Sequence, residues 1–265
     1  MPTLDAAACA ALMDELTKIT AHAAEKILDF ANKAADVRIK ADNSPVTAAD
    51  EAAETVIRNG LARLAPELPI ISEEQAAREN PKAVGRGSYF LVDPLDGTRE
   101  FIAGRAEYTV NIAIVSNGVP MLGIVCAPAL GDFWRGIVGR GADRIAGAET
   151  GQPTPIRTRA RPKSEAVIMV SRSHLDVRTR AYLERFPGAK IVQCGSSVKL
   201  GRLAEGFADL YPRLAPTHDW DVAAGHAIVT AAGGRVTAPD GSPLVYGTPD
   251  LLIPAFIASG DPITA

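Results

Sequence analysis

The run Tyr89-Phe90-Leu91-Val92-Asp93-Pro94-Leu95-Asp96-Gly97-Thr98 constrains this chain more than any other. Its apolar start, bounded by Gly87 and Pro94, reads as a β-strand with Asp93 at its end. Pro94 fixes φ and removes a backbone donor, so the chain turns there. The turn aims Asp93, the Leu95 carbonyl and Asp96 at one point. Hard oxygen ligands of this kind suit Mg²⁺, which joins protein carboxylates to substrate phosphate. Gly97 permits close approach of backbone to a ligand. Thr98 opens a short helix whose free amides suit a phosphate. The competing reading is an Asp-Pro turn closed by an Asx-type bond, with no ligand at all.

Two further acidic sites bear on that choice. Leu68-Pro69-Ile70-Ile71-Ser72-Glu73-Glu74 is a second short strand ending in carboxylates. Trp220-Asp221-Val222-Ala223-Ala224-Gly225 opens a helical run that ends at Gly233-Gly234, with Asp221 as its expected N-cap. Taken singly, these are a solvated loop pair and an ordinary cap. If they converge, the like charges need a cation to neutralise them.

Ser72-Glu73-Glu74, Asp93-Pro94-Leu95-Asp96-Gly97-Thr98 and Trp220-Asp221-Val222-Ala223-Ala224-Gly225 resemble, in order and spacing, three signature segments of the inositol monophosphatase superfamily. These are Mg²⁺-dependent, lithium-sensitive phosphomonoesterases. The resemblance runs from about Asn43 to Gly234. It is nearest to the CysQ-type 3′(2′),5′-bisphosphate nucleotidase branch through residues 40–50, Arg99-Glu100-Phe101-Ile102, Glu107-Tyr108-Thr109-Val110-Asn111-Ile112-Ala113, Gly195-Ser196-Ser197-Val198-Lys199 and Ala208-Asp209-Leu210-Tyr211-Pro212-Arg213.

The resemblance implies a layered αβαβα sandwich. It implies that Glu73, Asp93, the Leu95 carbonyl, Asp96 and Asp221 hold two or three Mg²⁺ ions. Gly97 and Thr98 amides would hold the scissile phosphate, and Asp50 with the Thr98 hydroxyl would orient or deprotonate the attacking water. Asp50 also has a local reading, since Thr47-x-x-Asp50 resembles a capping box. Lys40 falls in the family's mobile active-site loop. The substrate would meet Glu73, Leu95, Asp96, Gly97, Thr98, Gly195, Ser196, Lys199, Arg213 and Asp221. For Lys199 and Arg213, the alternatives are a helix-surface lysine and a structural arginine. The implied reaction removes the 3′-phosphate of adenosine 3′,5′-bisphosphate, giving AMP, with water as the attacking group. An inositol or other polyol monophosphatase would share every metal ligand and is the alternative. A silent binding protein on the same fold is disfavoured, because none of these ligands is missing.

Composition excludes other classes. A net charge of −3 and no interleaved basic-aromatic patch argue against a nucleic-acid polymer as partner. Met1 to Leu12 lacks a basic leader and no apolar run is long enough for a membrane span, so the expected place is the cytoplasm. Peripheral association with the cytoplasmic face of the inner membrane stays open, as does the choice between monomer and homodimer. Cys9, Cys126 and Cys194 have no metal or disulfide spacing and read as buried thiols. His218 reads as a solvated loop residue without a role.

Along the 265 residues, 5–35 and 47–64 read as helices, and strands are expected near Ile70 and Phe90, at 109–115 and at 122–127. Asn117-Gly118 signals a hairpin turn. Residues 140–162 are polar, rich in Gly, Pro and Arg, and read as a connection. The expected division is an α+β unit, 1–155, carrying most metal ligands, and an α/β unit, 156–265, carrying Asp221 and substrate contacts. In the second unit strands and helices alternate: 167–171, 179–186, 190–193, 198–206, 209–212 and 221–232.

Overall fold

The computed structural model describes residues 2–31, 37–39, 45–79, 87–147, 151–160 and 165–260. Lys40 and its neighbours 41–44 lie outside the described residues. The helices are α1 (Ala6–Ala31), α2 (Ala48–Leu64), α3 (Glu73–Glu79), α4 (Thr98–Ile102), α5 (Val177–Leu183), α6 (Val198–Ala204) and α7 (Asp219–Ala231). After a small β1 (Val37–Ile39)–β2 (Pro45–Thr47) ribbon comes a seven-stranded sheet in sequential order. It comprises β3 (Ile70–Ser72), β4 (Ser88–Asp96), β5 (Thr109–Ser116), β6 (Val119–Ala127), β7 (Asp132–Ile137), β8 (Gly141–Ala146) and β9 (Thr154–Ile156). Only its β3–β4 pair is parallel. A five-stranded sheet uses β10 (Val167–Ser171), β11 (Lys190–Cys194), β12 (Leu210–Arg213), β14 (Arg235–Thr237) and β16 (Phe256–Ser259), ordered β11-β10-β12-β16-β14. A second ribbon pairs β13 (Thr217–His218) with β15 (Leu252–Ile253).

The layering follows from side-chain alternation. On β4 and β5, Phe90, Val92, Val110, Ile112 and Ile114 face the helices α1 and α2. Tyr89, Leu91, Ala113 and Val115 face α6 and α7. This period of two puts one residue in each core and buries both faces of the sheet. The inner face of the five-stranded sheet closes the α6/α7 core with Met169, Tyr211 and Phe256. Its outer face, Ile168, Val170, Leu210 and Ile257, is covered by Tyr182 and Leu183 of the α5 region. The order α–β–α–β–α is the expected sandwich.

Glycines set the middle layer. A Cβ on Gly123 of β6 would stand 2.0 Å from the Ala224 carbonyl oxygen, and one on Gly136 of β7 would stand 2.7 Å from the Ile228 Cα. Helix α7 therefore lies in a groove that only glycine leaves open.

Two local expectations change and one holds. Residues 140–162 include β8 and β9, where the sequence suggested a connection. They are polar because they form the sheet's margin, where Arg135–Asp143 and Arg144–Asp132 pair across strands. The chain does turn at Asn117-Gly118, with φ of 51° and 80°. Helix α7 starts two residues earlier than expected, with His218 and not Asp221 as N-cap. Asp221 instead accepts the His218 N–H at 3.2 Å from the third helical position, as a capping-box acid. Among the described residues no helix is long and apolar enough to cross a membrane.

Candidate active site

Asp93 and Asp96 meet because β4 is irregular. Asp93 pairs with Asn111 and Asp96 with Thr109, so three steps on β4 oppose two on β5. In a regular strand, residues three apart face opposite sides of the sheet; the extra residue of a bulge restores them to one side. Asp93 follows the parity of Leu91, toward the α7 core. There Asp221, delivered by the first turn of α7, completes a cluster whose carboxylate oxygens lie within 4.8 Å of one another. The strand thus continues to Asp96 instead of stopping at Asp93. Glu73, the first residue of α3, lines the same cleft, of about 410 Å³.

The next residues form the cleft's rim. Gly97 has φ 90° and caps α4. A Cβ there would stand 3.2 Å from both the Glu107 carbonyl and Ser196 Cβ, so the Gly97-Thr98 turn sits hard against the Gly195-Ser196 turn. Thr98 Oγ1 lies 3.1 Å from Asp50 Oδ1 and 3.2 Å from the Leu95 carbonyl. The other Asp50 oxygen accepts the Thr47 N–H at 2.8 Å and hydroxyl at 2.6 Å. Asp50 therefore both caps α2 and reaches Thr98.

Charge divides the cleft. Burial, then the neighbouring Asp221 charge, pushes the Asp96 carboxyl up to about 6. Packing acids this closely is costly unless a cation neutralises them, and a divalent ion fits an all-oxygen donor set. Across the cleft, Arg213 Nε is buried without a hydrogen-bond partner. Burial opposes its charge, but Tyr211, Asp221 and Asp96 outweigh that and hold the guanidinium above its ordinary value. His174 beside it is pushed down by burial and by Arg213 and Arg99. Lys199, read from sequence as a surface residue if not a ligand, is 1% exposed. Its ammonium donates to the carbonyls of Cys194, at 3.2 Å, and Ser196, and lies 5.2 Å from the Tyr211 ring centroid. It thereby braces the turn at Ser196, whose φ of 45° is left-handed.

Other residues escaped the sequence reading. Ser197 donates its N–H to Asp96 Oδ2 at 2.7 Å. Its hydroxyl lies 2.9 Å from the same oxygen and 2.8 Å from the Asp221 carbonyl, and it accepts the Asn111 amide at 3.0 Å. It links β4, β5, α6 and α7 at the acidic cluster. Glu107 accepts the Gly195 N–H at 3.0 Å and grips Arg172, with an Nη2 contact of 2.6 Å. The Thr217 hydroxyl donates to Asp221. Ser197 was within the quoted Gly195–Lys199 segment, but nothing in the sequence pairs it with Asp96.

A profile of the inositol monophosphatase family matches residues 7–261. The chain belongs to that family. Among curated relatives, the 3′(2′),5′-bisphosphate nucleotidase CysQ of Escherichia coli K12 is 42% identical over 253 residues, 94% of this chain and 99% of that one. The enzyme of the same name from Haemophilus influenzae is 30% identical, over 94% and 93%. Among solved structures, CysQ from Bacteroides thetaiotaomicron superposes with TM-score 0.76 at 34% identity, covering 93% of this chain and 96% of that one. The Thermotoga maritima inositol monophosphatase superposes with TM-score 0.77 at 25% identity, over 94% and 91%. Family membership gives the chain its class of chemistry, phosphoester hydrolysis, and the family is generally divalent-metal-dependent.

Proposed function

We propose that this protein is a Mg²⁺-dependent phosphatase that removes the 3′-phosphate of adenosine 3′,5′-bisphosphate, giving AMP and phosphate. One observation carries the reading: a single cleft has an acidic cluster on one wall and Arg213, its Nε buried and unpartnered, on the other. A substrate with two phosphates offers one group to each. The names of the CysQ relatives agree with this choice.

Glu73, Asp93, the Leu95 carbonyl, Asp96 and Asp221 would hold two or three Mg²⁺. Bound there, the ions neutralise phosphate charge and lower the pKa of water. The open amides at Gly97, Thr98 and the first turn of α4 receive the scissile phosphate. Asp50 Oδ1 accepts the Thr98 hydroxyl, which leaves the Thr98 oxygen free to accept a proton from water in the cleft. As water attacks the phosphorus in line, the bond from phosphorus to the substrate's 3′-oxygen breaks; the water's proton passes to Thr98 Oγ1 while the Thr98 proton moves toward Asp50, and the leaving 3′-oxygen takes a proton from solvent water to become the AMP hydroxyl. No covalent enzyme intermediate forms. Gly195, Ser196 and Arg213 contact the remainder of the substrate, and Lys199 shapes their turn. In this reading residues 1–155 supply most ligands and 156–265 supply Asp221 and the second-phosphate contacts; the separate sheets at 70–156 and 167–259 support a division close to this one, with β9 wholly in the first sheet.

The test compares phosphate release from adenosine 3′,5′-bisphosphate and inositol 1-phosphate with Mg²⁺, with EDTA, and with Mg²⁺ plus Li⁺. The expected result is strong preference for the nucleotide, abolished by EDTA and reduced by Li⁺. Preference for the inositol ester would overturn the substrate and keep the metal chemistry.

A further inference from the structure

His218 was given no role from sequence, yet its ring lies on the Trp220 indole with centroids 4.6 Å apart and planes 9° from parallel. The two rings are not equivalent. Trp220 is 6% exposed and packed into the α6/α7 core, so it is a fixed support. His218 is only half-buried, and both rings line the catalytic cleft. With one imidazole face covered by indole, the ring meets the cleft through its other face and edge. Apolar Pro216, Leu252 and Phe256 line the cleft too.

The backbone that carries the ring is also tied to the acidic cluster. The His218 main-chain N–H donates to Asp221 Oδ2 at 3.2 Å, and the adjacent Thr217 hydroxyl donates to the same oxygen. Thr217 and His218 pair with Ile253 and Leu252 in the β13–β15 ribbon, which holds the backbone on both sides of the ring's attachment. A flat, preoriented π-surface placed at a fixed distance from a phosphoester site matches a planar heteroaromatic group of the substrate.

We infer that His218, backed by Trp220, is the platform on which the base of a nucleotide substrate stacks. This rests on the proposed nucleotide activity and adds to it the residue that reads the base. A substrate without a ring gains nothing from this surface, so the platform sets the preference between a nucleotide and a polyol phosphate.

The experiment compares wild type, His218→Ala and His218→Phe, at saturating Mg²⁺, on adenosine 3′,5′-bisphosphate and on base-free glycerol 2-phosphate. AMP inhibition is measured alongside. Losing the stacked ring removes one base–aromatic contact, so His218→Ala should lower the nucleotide-to-glycerol phosphate ratio of kcat/KM by about tenfold. The loss should appear in KM and in the AMP inhibition constant more than in kcat. His218→Phe should restore most of the ratio, because it keeps the π-face and discards the nitrogens. A ratio unchanged in His218→Ala, or a Phe variant no better than Ala, overturns the platform. Equal losses on both substrates, with raised Mg²⁺ demand, assign His218 to the support of Asp221 and also overturn it. If wild type shows no preference for the nucleotide, the substrate reading falls and the platform falls with it; a wild-type preference that survives His218→Ala removes the platform alone.

Discussion

Gly123→Ala reaches the active site from the middle of the sheet. The added Cβ would sit 2.0 Å from the Ala224 carbonyl oxygen and 2.8 Å from its carbon. Both neighbours are backbone, so no side chain can swing away. Helix α7 must retreat from β6 by about 1 Å, since close packing tolerates no such overlap. Overpacking of this kind costs about 1–3 kcal/mol in stability. The same displacement moves Asp221, three residues before Ala224, away from Asp93 and Asp96, whose oxygens now share a 4.8 Å cluster. A misplacement of about 1 Å in a catalytic constellation can cost on the order of 100-fold in rate. The assay is paired: urea unfolding for stability, and Mg²⁺ titration of phosphate release for the site. We expect a lower urea midpoint, raised half-saturating Mg²⁺ and a lower kcat. Gly136→Ala, against Ile228 Cα at 2.7 Å and farther from Asp221, should cost stability with a smaller effect on Mg²⁺. Wild-type stability and Mg²⁺ dependence in Gly123→Ala would refute the claim that this glycine seats α7.

Ser197→Ala keeps the hydrogen bond from the main-chain N–H to Asp96 and removes the hydroxyl. Losing a hydrogen bond that orients a metal-binding carboxylate costs about 10–100-fold in metal affinity, so half-saturating Mg²⁺ should rise by about tenfold in activity titrations. Arg213→Ala should raise KM for adenosine 3′,5′-bisphosphate more than for inositol 1-phosphate. Lys199→Met should instead lower the unfolding free energy by about 1–3 kcal/mol, because two buried carbonyls lose their donor. His226, bonded to the Tyr246 hydroxyl at 2.9 Å, is pushed down to about 4 by burial. Its contribution to stability is fully present above its unfolded value of about 6.5 and is lost as pH falls toward 4, by on the order of 3 kcal/mol. Asp219, raised to about 6 chiefly by burial, acts with opposite sign over much of that range. The measurement is therefore the difference in unfolding free energy between wild type and His226→Gln from pH 7 to pH 4, in which only the His226 contribution should change.

Local chemistry was legible from the chain. Asp93 through Thr98 are contiguous, so their hard ligands and the start of α4 could be read together, although the turn expected at Pro94 is a bulge within β4. Thr47 and Asp50 are one helical turn apart and form the cap that spacing implies. Asn117-Gly118 forms its hairpin because the backbone conformation is a property of those two residues. By contrast, β8 and β9 were obscured because a strand at a sheet margin has little apolar pattern. Lys199, offered as a substrate contact with a surface lysine as the alternative, is buried against Tyr211, which lies in β12 and not on its own helix.

The sequence by itself determined which groups are available for phosphate chemistry and the run of α+β followed by α/β elements, because side-chain alternation and helical periodicity are encoded residue by residue; the layered sandwich was implied by the family resemblance alone. Only the tertiary structure decided their convergence. A bulge turns Asp93 and Asp96 to one face, and the groove over Gly123 and Gly136 brings Asp221 to them from 125 residues away. Ser197 then ties the two aspartate-bearing segments, β4 and α7, together. Such contacts join distant segments through shape, which no local pattern records.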